Sequence, residues 1–133
     1  MSREHLRILV FALGVTLAAS SFAQKKTSLS EADLAGLIRA VNTAQLNWLA
    51  KHGTYGSLRD LSTDKLLTAR GARSELQIRR DDLATVGGYE LRIVVDSEGR
   101  YYFALLIPEQ GCGAVLFSTE AGVIYRGKAM GCE

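Results

Sequence analysis

The sequence is poor in the residues that most often do chemistry. Its 133 residues include two histidines, two cysteines, one tryptophan and one proline. A Ser-His-Asp or Cys-His system needs an imidazole base held in place by a hydrogen bond. Outside residues 1–23 the only imidazole is His52. It is expected at a helix C-terminus beside Gly53, where the helix dipole favours a partly charged ring, so its reading is a cap and not a base. A structural zinc takes four Cys or His ligands, and beyond residues 1–23 the chain offers only His52, Cys112 and Cys132. Cys112 and Cys132 lie far from Cys-x-x-Cys spacing, which argues against a redox role. No Gly-rich loop opens a helix, so nucleotide binding has no support. Charge of one sign is lacking too: 16 Lys and Arg face 14 Asp and Glu. Nucleic-acid binders cluster their basic residues, whereas Lys25-Lys26 and Arg79-Arg80 are small pairs that read as solvated surface. The expectation is a protein that is not an enzyme and uses no cofactor, metal or nucleic acid.

Two acidic groups leave a narrow opening for other chemistry. Asp81-Asp82 and Asp96 with Glu98 are the only candidates for a carboxylate pair of the glycosidase kind or for a calcium loop. Both lie in or beside expected turns, where acidic residues bond the backbone, and no EF-hand pattern is present.

The N-terminus is organised differently from the rest. "MSREHLR" carries two arginines, "ILVFALGVTLAA" is apolar, and Ser21 and Ala23 offer small side chains before a cut. This is the layout of a secretory signal peptide over residues 1–23. The apolar run falls short of the ~20 residues of a spanning helix, so membrane association is expected only if the segment is retained as an anchor. Residues 24–30, "QKKTSLS", read as a flexible lead-in and 31–133 as one globular domain, periplasmic or secreted. In that oxidising setting the even pair Cys112 and Cys132 is expected to form a disulfide, worth roughly 3 kcal/mol in the chain-entropy account.

Ser30 with Asp33 forms a short capping box, Leu29 and Leu34 have staple spacing, and Leu34, Leu37, Ile38, Val41, Ala44 and Trp48 keep helical period. Gly53 fits the left-handed position past the end. A helix over 31–52 follows. "SLRDLSTDKLLTARG" reads as one or two short turns ending at Gly71, with Leu58, Leu61, Leu66 and Leu67 packed on the core. "YELRIVVD" alternates as a strand with Leu91 and Ile93 inward. "YYFALLIP" is a second strand, stopped at Pro108. Residues 114–119 and 123–127 form a hairpin around Glu120-Ala121-Gly122 that brings the two cysteines together. "ARSELQIRRDDLATVGG" is read as a short strand at 75–79 and a loop ending at Gly87-Gly88. The fold class is therefore α+β, a helix packed on an antiparallel meander of about four strands. Trp48, Tyr55, Tyr89, Tyr101, Phe103 and Phe117 are expected in the core, while Tyr102 and Tyr125 are the candidate outward-facing aromatics of an interaction surface.

"RAVNTAQLNWLAKHGTYGSLRDL" resembles the helix end and following loop of type IV pilin-like proteins, the family of pilins and type II secretion pseudopilins. The residues that carry the resemblance are Arg39, Asn42, Thr43, Ala44, Gln45, Gly53, Tyr55, Ser57, Leu58 and Leu61. "EAGVIYRG" is similar to the closing pilin-like hairpin, and the cysteine pair to the disulfide bounding the C-terminal region of many pilins. The prepilin junction of Gly and Phe, and the Glu of the apolar stalk helix, have no counterpart here. The resemblance implies a pilin-like head without its stalk, working by protein contacts with pilus or secretion-system subunits. The alternative is a soluble periplasmic binding or inhibitor module.

Overall fold

The structure, a computed structural model, describes residues 29–64, 66–67 and 76–132. The signal-peptide and lead-in readings over 1–28 and the turn expected to end at Gly71 lie outside the described residues.

Helix α1 runs Glu31–His52. At its start the Asp33 amide donates to Ser30 Oγ at 3.2 Å and the Ser30 amide donates to Asp33 Oδ2 at 2.9 Å. The shorter Asp thus completes a box usually closed by Glu or Gln. The Ser30 hydroxyl, ahead of its amide, holds the Asp33 carboxyl below its ordinary range. At the other end Gly53 turns left-handed at φ 75° and donates to the Leu49 carbonyl. A second capping box, Ser57 with Asp60, starts the short helix α2, Leu58–Thr63, which buries Leu58 and Leu61.

Six strands follow: β1 Gln77–Arg80, β2 Leu83–Val86, β3 Tyr89–Val95, β4 Tyr102–Pro108, β5 Ala114–Thr119 and β6 Ile124–Lys128. They form one antiparallel sheet in chain order, every neighbour joined by a hairpin connection. α1 lies across one face of this sheet, mainly over β4 and β5. Between them sit Leu34, Leu37, Ile38 and Val41 of the helix and Leu91, Ile93, Leu106 and Leu116 of the sheet, all buried. Cys112 and Cys132 are bonded, with Cα atoms 5.4 Å apart, and tie the end of β6 to the approach of β5.

The expected architecture holds as α+β, but the strand count is six and not about four. The segment read as a loop before Gly87-Gly88 contains β2, and β1 spans Gln77–Arg80. β1 is exposed throughout and carries no alternation to read; β2 turns only Ala84 and Val86 inward, too short a signal to stand out. Gly87 and Gly88 both take positive φ, 51° and 81°, between the paired Val86 and Tyr89. Two consecutive positive values are what a two-residue hairpin turn demands and what Gly-Gly supplies without steric cost. In the β3–β4 turn Gly99 also lies at positive φ, and a Cβ there would come within 2.7 Å of Thr54. That close approach lets the Gly99 carbonyl accept from the Tyr55 amide, joining the loop after α1 to the sheet.

Candidate interaction surface

Cross-strand register sorts the side chains into two faces. On β4 the inward residues are Tyr102, Ala104 and Leu106, so Tyr101 and Phe103 point away from the helix. This corrects the assignment of the aromatics. Tyr102, expected on the surface, is 5% exposed, whereas Tyr101, expected in the core, is 57% exposed. The run "YYFALLI" is apolar at both parities, so alternation alone does not choose a face. Pairing of Val95 with Tyr102 and of Ile93 with Ala104 fixes the choice, and the small Ala104 leaves room for the helix. Tyr125 does lie on the exposed outer face, as expected.

Tyr102 has a structural task instead. Its hydroxyl donates to Asn42 Oδ1 at 2.7 Å, and Ser118 Oγ donates to the same oxygen at 2.6 Å. Asn42 Nδ2 reaches the Gly122 carbonyl at 3.4 Å. One helix amide therefore anchors β4, β5 and the β5–β6 hairpin. Burial, partly offset by the Ser118 hydrogen bond, pushes the Tyr102 phenol up to about 12. Gln45, fully buried one turn further on, both accepts from the Gly56 amide at 2.9 Å and donates to its carbonyl at 2.8 Å. Two of the residues that carry the sequence resemblance, Asn42 and Gln45, thus clamp the helix to the sheet and to the loop.

The outer face divides into halves. Toward β1 it is polar: Arg79 donates to Gln77 Oε1 and Thr85 Oγ1, and Arg92 pairs with Glu90. Toward β6 it is apolar. Val94 lies opposite Phe103, Leu105 opposite Phe117, and Phe117 opposite Tyr125. The Phe103 and Phe117 rings are 5.7 Å apart and tilted, and the Phe117 and Tyr125 rings stack at 4.9 Å. Val94 is 52% and Tyr125 46% exposed. The described residues cover this band with no element of their own.

The remaining candidates have local partners. His52 stacks on Trp48 with ring centroids 3.7 Å apart, and its Nδ1 lies 3.1 Å from the Trp48 carbonyl, which fits the capping role. Asp81 pairs with Arg59, Asp82 with Arg80 and Glu98 with Arg100. Asp96 Oδ1 accepts from the Arg100 and Tyr101 amides; the Tyr101 bond does most to hold this carboxyl below its usual range. The two acidic groups are separate turn-and-ion-pair features. Among the described residues, no three metal-ligating side chains gather, and no helix is long and apolar enough to cross a membrane. Two clefts lie at the disulfide end: one of about 570 Å³ along Gly87–Glu90 and Pro108–Gly113, and one of about 210 Å³ between Cys112, Arg126, Lys128 and Cys132.

The aromatic ladder is a surface feature that sequence reasoning finds only in part: it finds Tyr125 but puts Phe103 and Phe117 in the core. Cross-strand pairing is the missing signal. No protein family, curated protein or solved structure matches this chain.

Proposed function

We propose that this is an exported, pilin-like domain without catalytic activity of its own, which works by protein–protein contact at a type IV pilus or a type II secretion system. The observation that carries the reading is the apolar half of the outer sheet face. Monomeric domains seldom leave a contiguous aromatic band in water, and such bands mark interaction sites. Aromatic side chains are also the residues that dominate binding energy at interfaces. The disulfide between Cys112 and Cys132 fits an oxidising compartment. A membrane partner enters only if the N-terminal segment is retained.

Photo-cross-linking in cells of the source organism tests this. A photoreactive residue at position 103 is expected to give an adduct with a pilus or secretion-system subunit, while one at position 85, on the polar half, gives none. An adduct with a soluble enzyme or binding protein would replace this reading with the inhibitor module. Absence of any adduct at position 103 would overturn the sheet face as the contact surface.

A further inference from the structure

The apolar band runs across the strands and stops at β6, the last strand of the sheet. Among the described residues nothing pairs with the far side of β6, and Tyr125, Arg126, Gly127 and Lys128 are all exposed. An unpaired edge presents a row of backbone donors and acceptors that another strand can satisfy. Three features set the chemistry of that strand. On the outer face, Tyr125 ends the aromatic ladder, and a side chain on an added strand would lie beside it. Next to it, a Cβ built on Gly127 would meet nothing within 4 Å, so the backbone is open to close approach. At the opposite parity, Arg126 and Lys128 line the 210 Å³ cleft against the Cys112–Cys132 bridge. Arg126 is held by Glu31 at 2.7 Å, but both side chains are more than half exposed, and such a pair exchanges partners at little cost.

From this arrangement we infer that β6 takes a seventh strand from a partner protein: an extended segment that alternates apolar or aromatic residues, laid beside Tyr125, with acidic residues directed at Arg126 and Lys128. The alternation follows from the two-residue period of a strand, and backbone pairing with side-chain selection at alternate positions is an established mode of peptide capture. The disulfide fixes the end of β6 before the partner arrives, which removes part of the ordering cost. A second copy of β6, whose sequence is IYRGK, brings no acidic residue to meet Arg126 and Lys128. Antiparallel pairing of β6 with itself about Arg126 would set that arginine against its own copy and bring the Lys128 side chains onto the same edge, and like charges facing across strands repel. The inference rests on the protein-binding reading above and names the segment that is bound.

The test uses the full chain and two synthetic peptides, one alternating Val with Glu and one alternating Val with Lys. With the Glu peptide, the β6 amides should exchange with solvent at least about tenfold more slowly, and the Lys peptide should bind at least about tenfold more weakly. The double variant Arg126→Glu, Lys128→Glu should reverse that preference. Failure of both peptides to bind at millimolar concentration, equal affinity for the two, or dimerisation of the chain through β6 in the absence of peptide would each overturn the inference. Binding that shifts the Phe103 and Phe117 resonances but leaves β6 exchange unchanged would also overturn it, while leaving the sheet face as the contact surface. Protection of β6 combined with no cross-link at position 103 would uphold the seventh strand and overturn the sheet-face reading instead.

Discussion

The two faces of the sheet are built from similar side chains and meet different environments. The inner face sets Leu91, Ile93, Leu106 and Leu116 under α1, and all four are buried. The outer face sets Val94, Phe103, Phe117 and Tyr125 in a band of comparable hydrophobicity, with no helix above it among the described residues. An antiparallel sheet covered on one side ordinarily alternates apolar inward with polar outward. Toward β1 the outer face keeps that rule, through Gln77, Arg79, Thr85, Glu90 and Arg92. Toward β6 the face breaks it. Folding explains the inner apolar set, whereas Val94, Phe103 and Tyr125 each stay more than a third exposed and leave that share of their apolar surface in water. Residues that folding does not account for are where function is sought.

The comparison breaks first under a pair of truncations. Leu106→Ala removes a fully buried side chain and should cost about 2–5 kcal/mol in chemical denaturation, whereas Phe103→Ala on the same strand should cost far less. Equal losses would mean that the outer face is as tightly packed as the inner one, and the distinction between the faces would fall. Next in size is the disulfide. Cys112→Ser with Cys132→Ser should destabilise the fold by roughly 3 kcal/mol in oxidising buffer. Melting that is unchanged would remove the bridge from the account of what holds β6 in the sheet.

How much of this is legible in the sequence depends on whether a residue has one reading or two. Both ends of α1 carry their own chemistry, the Ser30–Asp33 box and Gly53, and the helix runs where the sequence places it. β3 is legible because Glu90 and Arg92 alternate with Leu91 and Ile93. β4 is legible as a strand but not in its parity, because Tyr101, Phe103 and Leu105 are as apolar as Tyr102, Ala104 and Leu106. Only the partner strand decides between them, and that information is non-local. β1 and β2 are hidden by shortness and exposure, although Asp81-Asp82 and Gly87-Gly88 are turn signals at the right spacing. The structural duty of Asn42 is illegible for the same reason as the parity of β4, since its partners Tyr102 and Ser118 are 60 and 76 residues away.

The buried polar clamp sharpens the inner side of the comparison. Asn42→Ala leaves the Tyr102 and Ser118 hydroxyls without their acceptor and should cost about 1–3 kcal/mol. Tyr102 adds a pH signature. Its folded-state pKa of about 12 lies above the ordinary value of 10. The folded state therefore holds the phenol proton more tightly than the unfolded chain does. The resulting stabilisation is complete below pH 10 and disappears as pH rises through 12. Tyr102→Phe should flatten the fall of stability across that window, as followed by denaturant titrations at successive pH values. An unchanged slope would mean that the phenol is less sequestered than its surroundings indicate.

The smallest expected change in stability tests the outer band itself. Replacing Phe103 and Tyr125 by Ser removes two rungs of the aromatic ladder, both of them partly solvated. Losing cross-strand aromatic contacts of this kind should cost about 0.2–1 kcal/mol each. Partner binding should respond in the opposite way, because exposed aromatic anchors carry a large share of interface energy, on the order of 2 kcal/mol or more apiece. The two quantities can be read on one variant: a denaturation curve close to that of the parent, and disappearance of the adduct formed from a photoreactive residue at the neighbouring position 94. A large drop in stability would show that the rings are fold residues after all, packed on one another to hold β4, β5 and β6 together. Parent-like stability with an undiminished adduct would show that the band is tolerated surface. Only a parent-like denaturation curve without the adduct supports a sheet that folds with one face and binds with the other.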